Sequence, residues 1–304
     1  MYEYGNARIA ALRGRLLDPG VLHQLTESES PAALLEHLAR LDDWQPFTAA
    51  PPAKTDSPAA GAVGTDPAHA VLGAIERHRF ARLGALPRWY PPPARTLVEA
   101  LVLPLDCERV VALLRLRIAD EDPAVALERA GAGAILDARQ LAEIVRAPTL
   151  AASVRLLGEA GVIEVRTARR LAALCERGEA WVTVEAGLAD ACFDARRARA
   201  SGAGAAAAQV REALAAEHAA AHAVVVELSE QGIESAASLE RRSTLARLDR
   251  LARRARRDPL GIGVVVGYVA AVEAQAIRLR AILGRVAGRW SRAQTAGYMP
   301  EAGG

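Results

Sequence analysis

Strand-forming residues are scarce in this chain. Aromatic residues make up 4% of its 304 positions, and no Val/Ile-rich run recurs at regular intervals. That excludes an all-β fold and leaves a parallel-sheet enzyme without its strands. An excess of one charge is missing too: 38 Lys plus Arg face 36 Asp plus Glu, a formal +2. A strongly basic nucleic-acid binder is therefore not expected. Lys54 is the only lysine; with so much alanine, the arginine bias reads as the mark of a GC-rich genome rather than of a function. Cysteine is confined to Cys107, Cys175 and Cys192, odd in number and without zinc-type spacing. A reducing cytoplasmic compartment is the simple expectation. The longest apolar run, Leu260 to Val272, has 13 residues and ends at Glu273, short of the roughly 20 that cross a bilayer. Residues 1–6 lack a basic segment followed by an apolar core, so no signal peptide is expected. The chain is expected to be soluble, with attachment to a membrane-bound assembly left open.

What is present is helical. Ala, Leu, Arg and Glu dominate, and all four favour helix. Apolar residues reach 51%, ample for a core and too many for a chain disordered throughout. The expected fold class is all-α. Periodicity predicts helices at about 7–17, 31–41, 67–85, 94–119, 137–146, 148–159, 165–177, 181–200, 205–228, 236–257 and 260–287. Asp18-Pro19-Gly20 reads as a stop for the first. Pro104 is expected to kink or divide the 94–119 helix. Residues 48–68 read as a loop or linker, and the tail after 287 is expected to fray. Breaks near 124 and 231 divide the chain into helical domains over 1–124, 125–231 and 232–304.

A weak internal repeat links the three segments. Each ends in a long helix with an acidic or polar residue followed by an apolar stripe: Asp106–Arg115, Glu217–Val226 and Gln275–Leu283. A helix carrying a glutamate precedes each, with Glu76, Glu185 and Glu240.

Familiar chemistry fails its context tests. His218 and His222 share a helix face, but alanines fill the positions between them and no third ligand has the spacing of a helical zinc site. Asp42-Asp43 lacks the further carboxylates of a magnesium cluster and reads as a polar helix end. Gly261, Gly263 and Gly267 form GxGxxxG after Pro259, not a dinucleotide turn after a strand; they read as a helix opening and a close helix approach. No GxSxG turn and no Walker A motif occur. No catalytic residue, metal or cofactor is expected, and no direct nucleotide binding. Arg241, Arg242, Arg247, Arg250, Arg253, Arg254, Arg256 and Arg257 crowd one helix whose apolar stripe is Leu245, Leu248, Ala252 and Ala255. They read either as a site for an acidic partner or as a solvated face.

Two stretches carry a resemblance. Tyr4-Gly5-Asn6-Ala7-Arg8-Ile9, continued by Ala11-Leu12-Arg13-Gly14-Arg15-Leu16-Leu17, resembles the opening of the C subunit of archaeal/vacuolar-type ATP synthases. That family includes the vacuolar ATPase d subunit. Asp258-Pro259-Leu260-Gly261-Ile262-Gly263, then Gly267–Ala274 and Ile277–Leu283, resembles its closing helix. Asp106–Arg115 and Glu217–Val226 match more faintly. The chain departs from the family at Gln275, usually Glu, at Arg109 and Arg278, usually Asn, and at Val226, where a terminal arginine is missing.

The resemblance implies three similar helical domains around a pseudo-threefold axis, forming a funnel. It implies a non-catalytic rotor subunit, one copy per complex, on the cytoplasmic side of the membrane. Its partners would be the central-stalk D and F subunits and the membrane proteolipid ring, with torque passed between them during proton or sodium transport. Arg8, Arg13, Arg115, Arg278 and Arg280 are the candidate stalk contacts, with pairing to an acidic neighbour such as Glu273 as the alternative for each. Arg253, Arg254, Arg256 and Arg257 are the candidate ring-proximal group. A helical scaffold or adaptor unrelated to ATPases is the competing class; an all-α enzyme and a basic DNA-binding regulator are others.

Overall fold

The structure, a computed structural model, describes residues 2–48, 66–121, 133–231, 244–253, 258 and 260–300. The all-α expectation holds: every regular element among them is helical. None of their helices is long and apolar enough to cross a membrane. The helices are α1 (Glu3–Arg13), α2 (Pro19–Thr26), α3 (Pro31–Ala39), α4 (Gln45–Thr48), α5 (Pro67–Gly84) and α6 (Ala94–Ile118). There follow α7 (Ala138–Arg146), α8 (Leu150–Glu159), α9 (Val165–Glu176), α10 (Trp181–Arg199) and α11 (Ala205–Gln231). The chain closes with α12 (244–253), α13 (Gly263–Val286) and α14 (Arg292–Ala296).

Local chemistry sets most of the starts. Ser30, Asp137 and Thr149 each accept a backbone N–H two or three residues into the helix that follows, a cap whose loss costs about 1 kcal/mol. In α7 the apolar residues Leu141, Ile144 and Val145 fall on one side and are buried, while Arg139, Glu143 and Arg146 are exposed.

Two expectations are corrected and a third is narrowed. Asp18-Pro19-Gly20 does not merely stop the first helix; Asp18 accepts the Val21 N–H at 3.0 Å and caps α2, with Pro19 in its first turn. Asp-Pro suits a helix start as well as a stop, because proline lacks only an N–H that is orphaned there anyway. The tail does not simply fray. Ser291 and Gln294 form a reciprocal capping box on α14, and Thr295 and Tyr298 are buried at 2% and 3% exposure. Pro104 does not divide its helix: α6 runs unbroken past it. Proline removes the N–H that would bond the Ala100 carbonyl. Arg196 of α10 supplies the donor instead, its Nε 2.9 Å from that oxygen and buried.

The expected break at 124, the second break from residue 232 on, most of the 48–68 linker and much of the 236–257 helix lie outside the described residues; α11 itself runs to Gln231. The sequence divides the chain into three contiguous segments; its contacts group into two units of separate stretches. One unit comprises Met1–Asn6, Arg82–Ala215 and Asp258–Val266; the other comprises Ala7–Ala81, Ala216–Arg257 and Gly267–Gly304. In the first, α6 to α10 surround a core that includes Leu103, Val110, Leu114, Ile144, Val154 and Leu188. In the second, Leu34, Leu38, Trp44, Ile75, Leu279 and Ile282 form one cluster, and Leu245, Leu248, Ala270 and Tyr298 belong to another. Each fully buried Leu or Ile contributes roughly 1.5–3 kcal/mol.

Candidate functional site

A polar residue midway along each of the three long helices reaches into another segment. Asp106 in α6 is 1% exposed. Its carboxylate accepts the backbone N–H groups of Ala134, Ile135 and Leu136 at 2.9, 2.6 and 3.1 Å. Burial pushes this carboxyl above the ordinary aspartate range, against the pull of those three donors and of nearby Arg109. A Cβ on Gly133 would sit 2.0 Å from Asp106 Oδ1, so only glycine admits the carboxylate there. Gln275 in α13 is 4% exposed, and its Oε1 accepts the Leu17 N–H at 2.7 Å. Glu217 in α11 pairs with Arg247 of α12 at 3.5 Å. Thus Asp106 of the first segment takes backbone near the start of the second, Glu217 of the second takes an arginine of the third, and Gln275 of the third takes backbone near the start of the first.

The two stretches that carry the resemblance also meet. Asn6 Nδ2 donates to the carbonyls of Leu260 and Gly261 at 3.0 and 3.1 Å. Its Oδ1 accepts the Tyr90 hydroxyl at 2.9 Å. A Cβ on Gly5 would come within 2.2 Å of the Tyr90 ring, so glycine is what lets that ring lie against α1. Asp258 accepts the N–H groups of Gly261 and Gly263 at 3.0 and 3.1 Å and so opens α13, as the glycine spacing predicts. Burial, then the neighbouring Tyr2, raises the Tyr90 phenol well above its usual range. The sequence marked Gly5, Asn6, Asp258 and Gly261, but nothing in it flagged Tyr90, an isolated aromatic before a proline run.

The candidate arginines fall into distinct settings. Arg278 places Nη2 against both carboxylate oxygens of Asp249 at 2.8 and 3.0 Å, and its Nε donates to the Tyr298 carbonyl at 3.2 Å. Arg280 pairs with Glu76, which also meets Arg79 at 3.4 Å. Arg79 is 5% exposed, and its Nε–H is shared between both carboxylate oxygens of Glu273 at 2.8 and 2.9 Å. Glu273 therefore serves Arg79, a pairing the sequence did not mark. Arg115 pairs with Glu185. Arg8 is exposed on α1. Arg13, half-buried on α1, makes no ion pair or hydrogen bond of its side chain among the described residues. Arg8, Arg13, Arg278 and Arg280 belong to one unit and Arg115 to the other. Arg253 is exposed on α12, and Arg254, Arg256 and Arg257 lie outside the described residues.

Other groups singled out by sequence have local roles. Asp43 bonds His78 Nε2 at 3.1 Å and lies 3.7 Å from Arg15. The His78 ring stacks on Trp44 with centroids 4.0 Å apart, and burial lowers its pKa to about 4. His218 is exposed on α11; the side chain of His222 lies outside the described set. Among the described residues no three His, Cys, Asp or Glu side chains gather where they could hold a metal. An open groove along α7 and α8 is lined by Glu143, Arg146, Pro148, Arg155, Leu156 and Glu159. Its charges alternate in sign rather than converge on one point. What the named groups do together is fasten helices: they close turns, bridge segments and set register.

No known protein-family model matches the chain. A search of curated proteins finds no match either.

Proposed function

We propose that this chain is a non-catalytic coupling subunit of a rotary V/A-type ATP synthase or ATPase. It would join the central stalk to the membrane proteolipid ring on the cytoplasmic side. The observation that carries the reading is the cyclic pairing of the three segments. Asp106 takes residues 134–136 of the second segment, Glu217 takes Arg247 of the third, and Gln275 takes Leu17 of the first. Three segments that each grip the next are what a pseudo-threefold funnel requires. Two further ion pairs follow the same order: Arg115 with Glu185, and Arg280 with Glu76. The resemblance supports it as well, because Asn6 and Gly261, 255 positions apart, belong to its two stretches and are bonded to each other.

A coupler needs a stiff body and a joint that does not slip; it needs no titratable site. The departures from the family suit this role. Gln275 keeps an acceptor for the Leu17 N–H without placing a charge in a buried position. Arg278 has its own counter-ion in Asp249. Of the candidate stalk contacts, Arg8 and Arg13 lie on the motif helix α1, and Arg115, Arg278 and Arg280 pair with Glu185, Asp249 and Glu76. In this reading α1 faces the stalk, and Arg253, Arg254, Arg256 and Arg257 lie toward the ring and its anionic headgroups.

The test is affinity purification of the tagged protein from native membranes, followed by mass spectrometry. Stalk D and F subunits and the proteolipid are expected together. Recovery of the protein alone, or with unrelated partners, would overturn the rotor reading and leave a helical scaffold. Arg13→Glu is expected to weaken stalk recovery while the fold stays intact. Exchanging Arg253, Arg254, Arg256 and Arg257 for Gln is expected to weaken membrane retention.

A further inference from the structure

One helix carries a row of arginines that the fastening network does not use. The core face of α9 is Ala168, Leu171 and Ala172, all buried. At about 100° per residue, Arg166, Arg169, Arg170 and Arg177 fall within an arc of about 100° on the opposite side. The first three stand on the helix and Arg177 is its C-cap, so the row is about 16 Å long. All four are exposed, and none makes a side-chain hydrogen bond or ion pair among the described residues. The carboxylates nearest them in sequence are engaged elsewhere: Glu164 accepts from Thr167, and Glu176 pairs with Arg155 of α8. Nor do these charges serve their own helix. Arg166 sits in the first turn, where the macrodipole is already positive, and Arg169 and Arg170 follow in the second.

We propose that this outer face of α9 binds the surface of an anionic lipid bilayer, its four arginines meeting the headgroup phosphates. A protein partner is held by an apolar or aromatic anchor at the centre of its patch, and the centre here is Ala173, half-buried. A single-stranded nucleic acid would need aromatic side chains on which to stack its bases, and this face has none. Attraction to headgroups needs charge alone. Exposed apolar side chains bracket the row in sequence: Val165, 43% exposed, and Val182 in the first turn of α10, 72% exposed. The helix lies along the surface rather than in it, because its apolar face already serves the core of its unit. This inference is independent of the rotor reading. It concerns a different helix from the 253–257 arginines and needs neither stalk nor ring.

The experiment sediments the purified full-length protein with vesicles of phosphatidylcholine, alone or mixed with phosphatidylglycerol. Binding is expected to the mixed vesicles only, and to fade as added salt shortens the Debye length. Each arginine near such a surface strengthens binding about fivefold. Arg169→Gln with Arg170→Gln should therefore weaken it about 30-fold, and exchanging Arg166 and Arg177 as well should abolish it. Exchanging Arg253, Arg254, Arg256 and Arg257 for Gln should leave the effect of the α9 variants in place. Duplex DNA at matched phosphate concentration should compete poorly. The α9 variants should melt no lower than wild type, because the exchanged side chains hold nothing in the fold. Equal binding to neutral vesicles, or none to anionic ones, would overturn the proposal. So would α9 variants that bind like wild type or melt several degrees lower, vesicle binding abolished by the 253–257 exchange alone, or a preference for the DNA.

Discussion

Acidification should unfold this protein partly through one histidine. His78 on α5 is 2% exposed and stacks on Trp44, with the rings 5° from parallel, while Phe47 meets it edge-on at 5.2 Å. Two effects oppose each other there. Burial disfavours the imidazolium, and the Asp43 carboxylate 3.1 Å from Nε2 favours it. Arg15, 3.7 Å from the same carboxylate, takes part of that attraction away. Burial prevails and lowers the pKa from 6.5 to about 4. Below pH 6.5 the unfolded chain therefore binds a proton that the folded one refuses. Stability is whole above 6.5 and is lost as pH falls toward about 4. At about 1.4 kcal/mol per pH unit, the loss reaches about 3 kcal/mol. Other groups titrate in the same range, so the comparison is with His78→Phe, which keeps a ring against Trp44 and cannot be protonated. Urea unfolding across this pH range should show wild type losing about 3 kcal/mol more than the variant. Proton NMR should find the His78 ring still neutral at pH 6.5 and titrating far below it. Parallel stability curves, or a ring that titrates at 6.5 or above, would refute the claim that burial outweighs Asp43.

Further outcomes follow from the fastening network. Asp106→Ala strips three N–H groups, two of them buried, of their acceptor and should cost about 3 kcal/mol or more in denaturant unfolding; a loss below about 1 kcal/mol would mean water replaces the carboxylate. Arg196→Leu leaves the Ala100 carbonyl unpaired and should cost about 1–3 kcal/mol. Pro104→Ala restores the helical donor to that carbonyl, so the double variant should recover part of the loss; strict additivity in the cycle would refute the link between proline and arginine. Asn6→Ala should destabilise by about 2 kcal/mol, because it leaves the buried Tyr90 hydroxyl unpaired, a change visible in thermal melts. Gln275→Glu, which restores the residue usual in the family, should keep the Leu17 bond and destabilise less than Gln275→Ala.

Much of the candidate site was half legible. Within the long helices Asp106, Glu217 and Gln275 stand out because a polar residue before an apolar stripe breaks a periodic pattern. Their partners do not, since backbone N–H groups at 134–136 and at Leu17 carry no side-chain signature. The arginines were visible as a class, and Glu76, Glu185 and Glu273 stood out, but which arginine each would meet was not legible. Arg79 and Asp249 look like ordinary solvated charges until the helices pack. The capping box of α14, Ser291 with Gln294, was readable from spacing alone. What spacing could not convey is that Tyr298, just beyond it, finds a buried place.

The sequence by itself determined the helical class, the places where most helices start and the apolar face each one buries. Those properties depend on neighbours within one or two turns: a cap reaches the third residue on, and an apolar stripe repeats every three or four. Tertiary structure decided the rest. Pro104 breaks a local rule and is tolerated because Arg196, 92 positions on, supplies the missing donor. His78 loses its charge because of what surrounds it, not because of its place along α5. Asn6 and Gly261 bond across 255 positions, and the contacts gather separate stretches of chain into two units. Hydrogen bonds and ion pairs act over about 3 Å, so which of them form is settled only when packing brings distant segments that close.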